Sequence, residues 1–149
     1  MNPNSDQPLP IEQHRLAIIG FPYDHNSSFM QGPAEAPPAI RSALRSDSSN
    51  LWTEAGIDLG RPGLLYDAGD RKVAQESNPF DDITTAISEL LHRQLRPIIL
   101  GGDHSITYPS VRAISATWKD LTILHFDAHP DLYDHFEGNR ESHACPFAR

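Results

Sequence analysis

Pro97-Ile98-Ile99-Leu100-Gly101-Gly102-Asp103-His104-Ser105 and, further on, Leu121-Thr122-Ile123-Leu124-His125-Phe126-Asp127-Ala128-His129-Pro130-Asp131 repeat one pattern. In each, a short apolar, β-branched run ends in carboxylates and imidazoles. Runs of this length and composition read as strands. Polar residues just past the ends of two such strands are well placed to share one cleft. Asp127, His129 and Asp131 make a dense set of oxygen and nitrogen donors with no thiolate, which suits a hard or borderline divalent ion, Mn²⁺ in particular. Gly101-Gly102 lacks the Lys-Ser/Thr of a phosphate loop and the third glycine of a dinucleotide fingerprint. Its better use is a sharp turn at the strand end that lets His104 reach the metal. Asp103 then either supports the ligands from behind or bonds the backbone.

Outward from this stretch the chain alternates. Leu16-Ala17-Ile18-Ile19-Gly20 reads as a continuously apolar strand buried on both faces. Phe21 to Ala36 is a long loop rich in Pro, Gly, Ser and Asn. Pro37-Pro38 fits the first turn of a helix whose Ile40, Ala43 and Leu44 share a face, with Arg41 and Arg45 projecting elsewhere. Leu51-Trp52 and Ile57 are expected anchors in an otherwise polar segment. Leu64 to Asp67 suggests a strand leading into Ala68-Gly69-Asp70. Asn78 as cap, Pro79 at the first position and Asp81 and Asp82 in the first turn open a strong helix. Phe80, Ile83, Ile87, Leu90 and Leu91 recur along it at helical spacing. A second helix is expected over Tyr108 to Thr117, with Val111, Ile114 and Trp118 inward. Strand and helix in alternation predict an α/β fold with a parallel sheet.

With 149 residues the chain has the length of one domain and is large enough for a real core. A flexible segment is expected over 1–13, with the domain over 14–149. A formal net charge of -8 with scattered Lys and Arg argues against nucleic acid as partner. No signal peptide and no membrane-spanning run is visible. The single cysteine, Cys145, forms no intrachain disulfide and fits a reducing compartment, so a cytoplasmic location is expected.

Gly-Gly-Asp-His-Ser (101–105), followed by a strand and Asp-Ala-His-Pro-Asp (127–131), resembles the signature of the ureohydrolase family, which includes arginases, agmatinases and formimidoylglutamases. Asn26-Ser27-Ser28-Phe29, Gly32-Pro33 with Ile40-Arg41, Asp67-Ala68-Gly69-Asp70, Ser105-Ile106-Thr107-Tyr108-Pro109 and Ser142-His143 extend the similarity from about Leu16 to Arg149. The resemblance implies a three-layer parallel sheet flanked by helices and a pair of Mn²⁺ ions. His104, Asp127 and Asp131 would hold one ion; His129 and the bridging Asp127 would hold the other. Two metals lower the pKa of a shared water, and the resulting hydroxide attacks the guanidinium carbon, releasing urea and an amine. By the same resemblance Asp131 carries a proton to the leaving nitrogen, and His143 shuttles protons and contacts substrate. Asp70 would support the cleft. A small cationic guanidino substrate and a homo-oligomeric full-length form are also implied.

The family's other two metal-binding aspartates lie in a later Ser-x-Asp-x-Asp motif, which the sequence does not reach before Arg149. An incomplete sheet at the C-terminal side, with an unpaired edge, and weak or single-metal binding are therefore expected of these residues. A non-catalytic metal-binding or interaction fragment is the alternative reading. Tyr133 stands where animal-type arginases have Asn, and Asp131-Leu132-Tyr133 with Phe136-Glu137-Gly138-Asn139 looks like the agmatinase branch. Plant-type arginases look similar over this run. Agmatine is the favoured substrate, with arginine and formimidoylglutamate as alternatives.

Overall fold

Leu16–Phe21 forms β1, the centre of a parallel sheet ordered β2-β1-β3, with β2 at Leu65–Asp70 and β3 at Arg96–Gly101. The computed structural model describes residues 16–73 and 78–149; the flexible segment expected over 1–13 lies outside them. Leu16 pairs with Leu65 on one side and with Arg96 on the other, and Phe21 pairs with Gly101, so three strand ends finish side by side. A central strand between two parallel partners has both faces covered, which is why β1 is almost unbroken in its apolar character.

Its alternating side chains go to two different layers. Ala17, Ile19 and Phe21 enter the main core with Phe80, Ile83, Ile87 and Leu90 of α2 (Pro79–His92) and Ala113 of α3 (Thr107–Thr117). Ile18 and Gly20 face α1 (Ala36–Leu44); a side chain at Gly20 would meet Pro37 and the Arg41 guanidinium. Helices thus flank a three-stranded parallel sheet.

Helix α2 starts as its sequence dictates, with the Asn78 side chain accepting from the Phe80 N–H at 3.0 Å. It ends where Gln94 takes a left-handed conformation (φ 60°) and Leu95 N–H returns to the Leu90 carbonyl at 3.0 Å. Arg112 ties α3 to α2 by donating to the Phe80 carbonyl at 3.0 Å and to Asp81 at 2.6 Å.

Several expectations are corrected. Leu121–Phe126 forms no strand, and its apolar residues face solvent, Leu124 at 77% and Phe126 at 88% exposure. The physical reason is the missing ladder: among the described residues no strand lies beside it, and the outer edge of β3 is likewise unpaired. On α1 the inward face is Pro37 and Arg41, while Ile40 and Ala43 are exposed. The cause is Arg41 itself. Its guanidinium is drawn under the end of β2, where it donates to Asp67 at 2.9 Å, to the Gly69 carbonyl at 2.8 Å and to Asp70. Arg45 adds a second ion pair to Asp67. Trp118 closes α3 from the outside rather than facing the core, and Trp52 and Ile57 are exposed rather than anchoring.

Candidate metal centre

The strand end after β3 sets the first ligand. Gly102 packs so closely on Tyr23 that any side chain there would collide with the Tyr23 backbone carbonyl. Asp103 N–H donates to that same carbonyl at 2.9 Å, locking the turn to the strand beside it. The buried Asp103 carboxylate then accepts from the Ser105 N–H at 2.9 Å and from the Asn26 N–H at 2.9 Å. Asp103 therefore caps the 3₁₀ turn that presents His104 and fastens the 22–32 loop to it.

His104 is held by both nitrogens' surroundings. Its Nδ1 lies 3.0 Å from the Thr107 hydroxyl. Its Nε2 is buried and has no hydrogen-bond partner among the described residues, although Asp131 Oδ2 is 3.2 Å away. The distance is short enough for an ion pair but the angles are not those of a hydrogen bond. In the tautomer in which Nδ1–H donates to the Thr107 hydroxyl, the lone pair is on Nε2, the arrangement of a metal-binding imidazole whose other nitrogen is oriented by a neighbour. Burial pushes the His104 pKa below the ordinary 6.5, against the upward pull of Asp131. The ring is therefore neutral at pH 7, the form that binds a metal.

The second stretch returns to the same place by turns rather than by a strand. Asp131 takes a left-handed backbone conformation (φ 49°), which Asp tolerates better than most residues, and its carboxylate is buried. The Phe147 N–H donates to the Asp131 carbonyl at 3.2 Å and anchors that corner. Asp127 accepts from the His129 N–H at 2.9 Å, and this bond, ahead of the nearby imidazoles, holds its carboxyl below the usual range. An ionised Asp127 and a buried Asp131 face a neutral imidazole. His104, His125, Asp127 and Asp131 bring four donor atoms within 4.8 Å of one another.

The predicted residues thus divide. His104, Asp127 and Asp131 converge. His129 stands outside the four: its side chain is 79% exposed and its Nδ1 is 3.2 Å from Asp127. His143 lies on the Asn26 side of the cleft, its Nδ1 3.0 Å from the Asn26 carbonyl. Asp70 is separated from the four by β1 and is paired with Arg41. The sequence pattern singles out no role for Asn26, and it makes His125, inside the expected strand, a packing residue or a supporting neighbour of the ligands. Asn26 is in fact a hub, donating from its backbone to Asp103 and from its side chain to Ser105 at 3.3 Å, and accepting from Asn139 at 2.9 Å. Its place in the Asn26-Ser27-Ser28-Phe29 stretch was the available signal. His125 stacks on His104 with 5.3 Å between centroids and 9° between planes. The periodicity of an extended chain, which puts residues 125 and 127 on one side, was its signal.

The donor set fits a divalent ion: two carboxylates, imidazole nitrogen, and a buried Nε2 without a hydrogen-bond partner among the described residues.

Residues 14–149 match the model of the Arginase family. Arginase 1, mitochondrial, of Arabidopsis thaliana is 49% identical over 142 residues, covering 89% of this chain and 42% of that protein. The N(1)-aminopropylagmatine ureohydrolase of Thermus thermophilus is 36% identical over 154 residues, covering 97% of this chain and 49% of that protein. The solved arginase from Medicago truncatula superposes with a TM-score of 0.84 at 42% identity, covering 92% of this chain and 46% of that one. The chain spans less than half the length of these relatives.

Proposed function

The chain belongs to the arginase family, and from that premise we propose that it carries part of the active site of a metal-dependent hydrolase that releases urea from a guanidino compound. The observation that supports this reading most is the buried, unbonded His104 Nε2 set against Asp131 and near Asp127. His104, Asp127, His129 and Asp131 would hold a pair of divalent ions, Mn²⁺ by their hard donor set, which supply Lewis acidity and a water of lowered pKa. The chain's own residues do the rest. Asp131, buried in the same cluster, would carry the proton that the leaving nitrogen needs. His143 has Nδ1 committed to the Asn26 carbonyl, leaving Nε2 as the nitrogen that exchanges protons and contacts substrate. The acidic charge balance favours a cationic substrate.

Arginine is the first substrate to test, because identity to the plant arginase exceeds that to the aminopropylagmatine enzyme, 49% against 36%. Agmatine is the second reading, favoured by Tyr133 and its neighbours. The test is urea release from arginine and agmatine, with manganese content, on the protein translated from the complete gene. We expect Asp127→Ala to lose both metal and turnover, and His143→Ala to lose turnover while keeping metal. Unchanged manganese in Asp127→Ala, or no urea from either compound, overturns the reading.

A further inference from the structure

Asn26 joins three stretches that lie far apart in the chain: its own loop, the turn at the end of β3 and the 139–143 segment. Its carbonyl receives two bonds from one residue, from the His143 backbone N–H at 3.4 Å and from His143 Nδ1 at 3.0 Å. A carbonyl oxygen only accepts, so this contact puts the proton on Nδ1 and the lone pair on Nε2. The Ser142 hydroxyl, 3.3 Å from Nδ1, is the longer contact and itself accepts from the Ala144 N–H. The Phe136 ring stands at 72° to the imidazole, with 6.0 Å between centroids.

A carbonyl is only as well placed as the backbone that carries it, and the Asn26 side chain fixes that backbone. Its Oδ1 accepts from Asn139 Nδ2 at 2.9 Å, while its Nδ2 donates to the Tyr23 and Ser105 hydroxyls, each at 3.3 Å. The Asn26 N–H adds the bond to the buried Asp103 carboxylate at 2.9 Å. A carboxylate of the same shape has no N–H for Tyr23 and Ser105, and it sets a second negative charge beside Asp103. Only an amide both donates and accepts here without adding charge. We propose that Asn26 is a positioning residue: its amide holds its own carbonyl against His143, so that the imidazole keeps its proton on Nδ1 and leaves Nε2 free to exchange one. This role rests on the reading of His143 as the proton-exchanging group and names what sets its tautomer; the metal ligands are untouched by it.

The ¹⁵N shifts of the histidine rings, read on the metal-free chain, report the tautomer directly, with His143 assigned by its absence from His143→Gln. We expect His143 to be protonated at Nδ1 in the parent and to move towards Nε2 protonation in Asn26→Ala, which keeps the backbone groups but loses the amide that holds them. In the protein translated from the complete gene, Asn26→Ala and Asn26→Asp should each lower kcat about 10- to 100-fold with manganese content unchanged. Ser27→Ala, which removes a hydroxyl that reaches Asp103 at 3.5 Å, should keep kcat within about twofold. Nε2 protonation of His143 in the parent overturns the proposal even if a variant fails to fold. An unchanged kcat in Asn26→Ala, or loss of metal along with turnover, overturns the role of Asn26 and leaves the hydrolase reading standing. No urea from the parent overturns that reading and this role together.

Discussion

Leu16–Phe21 and Leu121–Phe126 are six-residue, largely apolar segments that share Leu, Ile and Phe at their first, third and sixth places, and they end up in opposite conditions. The first is the buried centre of the sheet, with Ala17 and Ile19 wholly inaccessible. The second has no strand partner among the described residues and is open to water along most of its length. A strand is a property of a pair. β1 has a neighbour on each side to take its N–H and carbonyl groups, whereas 121–126 has none among the described residues and leaves its backbone open to solvent. Apolar composition confers the capacity for strand formation; available ladder partners decide whether it is used.

The comparison predicts a graded set of stabilities, measured by denaturant unfolding. Ile19→Ala should cost the most, about 2–5 kcal/mol, because a side chain with no exposed surface leaves a cavity between β1 and α2. A cost below ~1 kcal/mol would mean that the core around β1 is not the cooperative unit described. Arg41→Ala comes next, at about 1–3 kcal/mol. It strands two carboxylates under the end of β2, each more than a quarter exposed, so the penalty falls short of a fully buried pair. An Arg41→Lys variant sharpens this, since an ammonium cannot reproduce the contacts to Asp67, Asp70 and the Gly69 carbonyl together.

Asp24→Asn should cost about 1 kcal/mol at neutral pH and have a pH signature. The Gly32 N–H donates to Asp24 Oδ2 at 2.7 Å, and this bond first of all holds the carboxyl below its ordinary 3.8. A carboxyl depressed in the folded state binds its proton less readily there than in the unfolded chain. Its contribution is therefore full above about 3.8 and disappears as pH falls through the lower folded value. The parent should lose stability more steeply than Asp24→Asn below that point; identical acid slopes would remove the role assigned to this carboxylate. Ile123→Ala closes the series with less than about 0.5 kcal/mol, since the side chain is already half in water. A loss comparable with that of Ile19→Ala would break the comparison outright and show that 121–126 is packed in solution.

The sequence carried much of this molecule on local grounds. The cap and first turn of α2 follow from Asn78-Pro79 and the acidic pair behind them, and the helix appears where those residues put it. Strands β1 and β3 and the parallel α/β arrangement follow from short apolar runs alternating with amphipathic helices. The predicted convergence of His104, Asp127 and Asp131 was legible because both stretches follow apolar runs and carry donors of one chemical kind. What local pattern could not supply was competition between distant partners. Whether Arg41 points out or in depends on Asp67 and Asp70, 26 and 29 residues away, whose carboxylates outweigh the apolar stripe that Ile40 and Ala43 suggest. The selection of His125 over His129 for the cluster depends on His104 and Phe147 closing around one ring, a matter of three-dimensional packing. Residue types and spacing determined which groups were capable of helix, strand and metal chemistry. Only tertiary structure decided which of them found partners, because hydrogen-bond ladders, ion pairs and ligand sets each need a second group whose position no local pattern fixes.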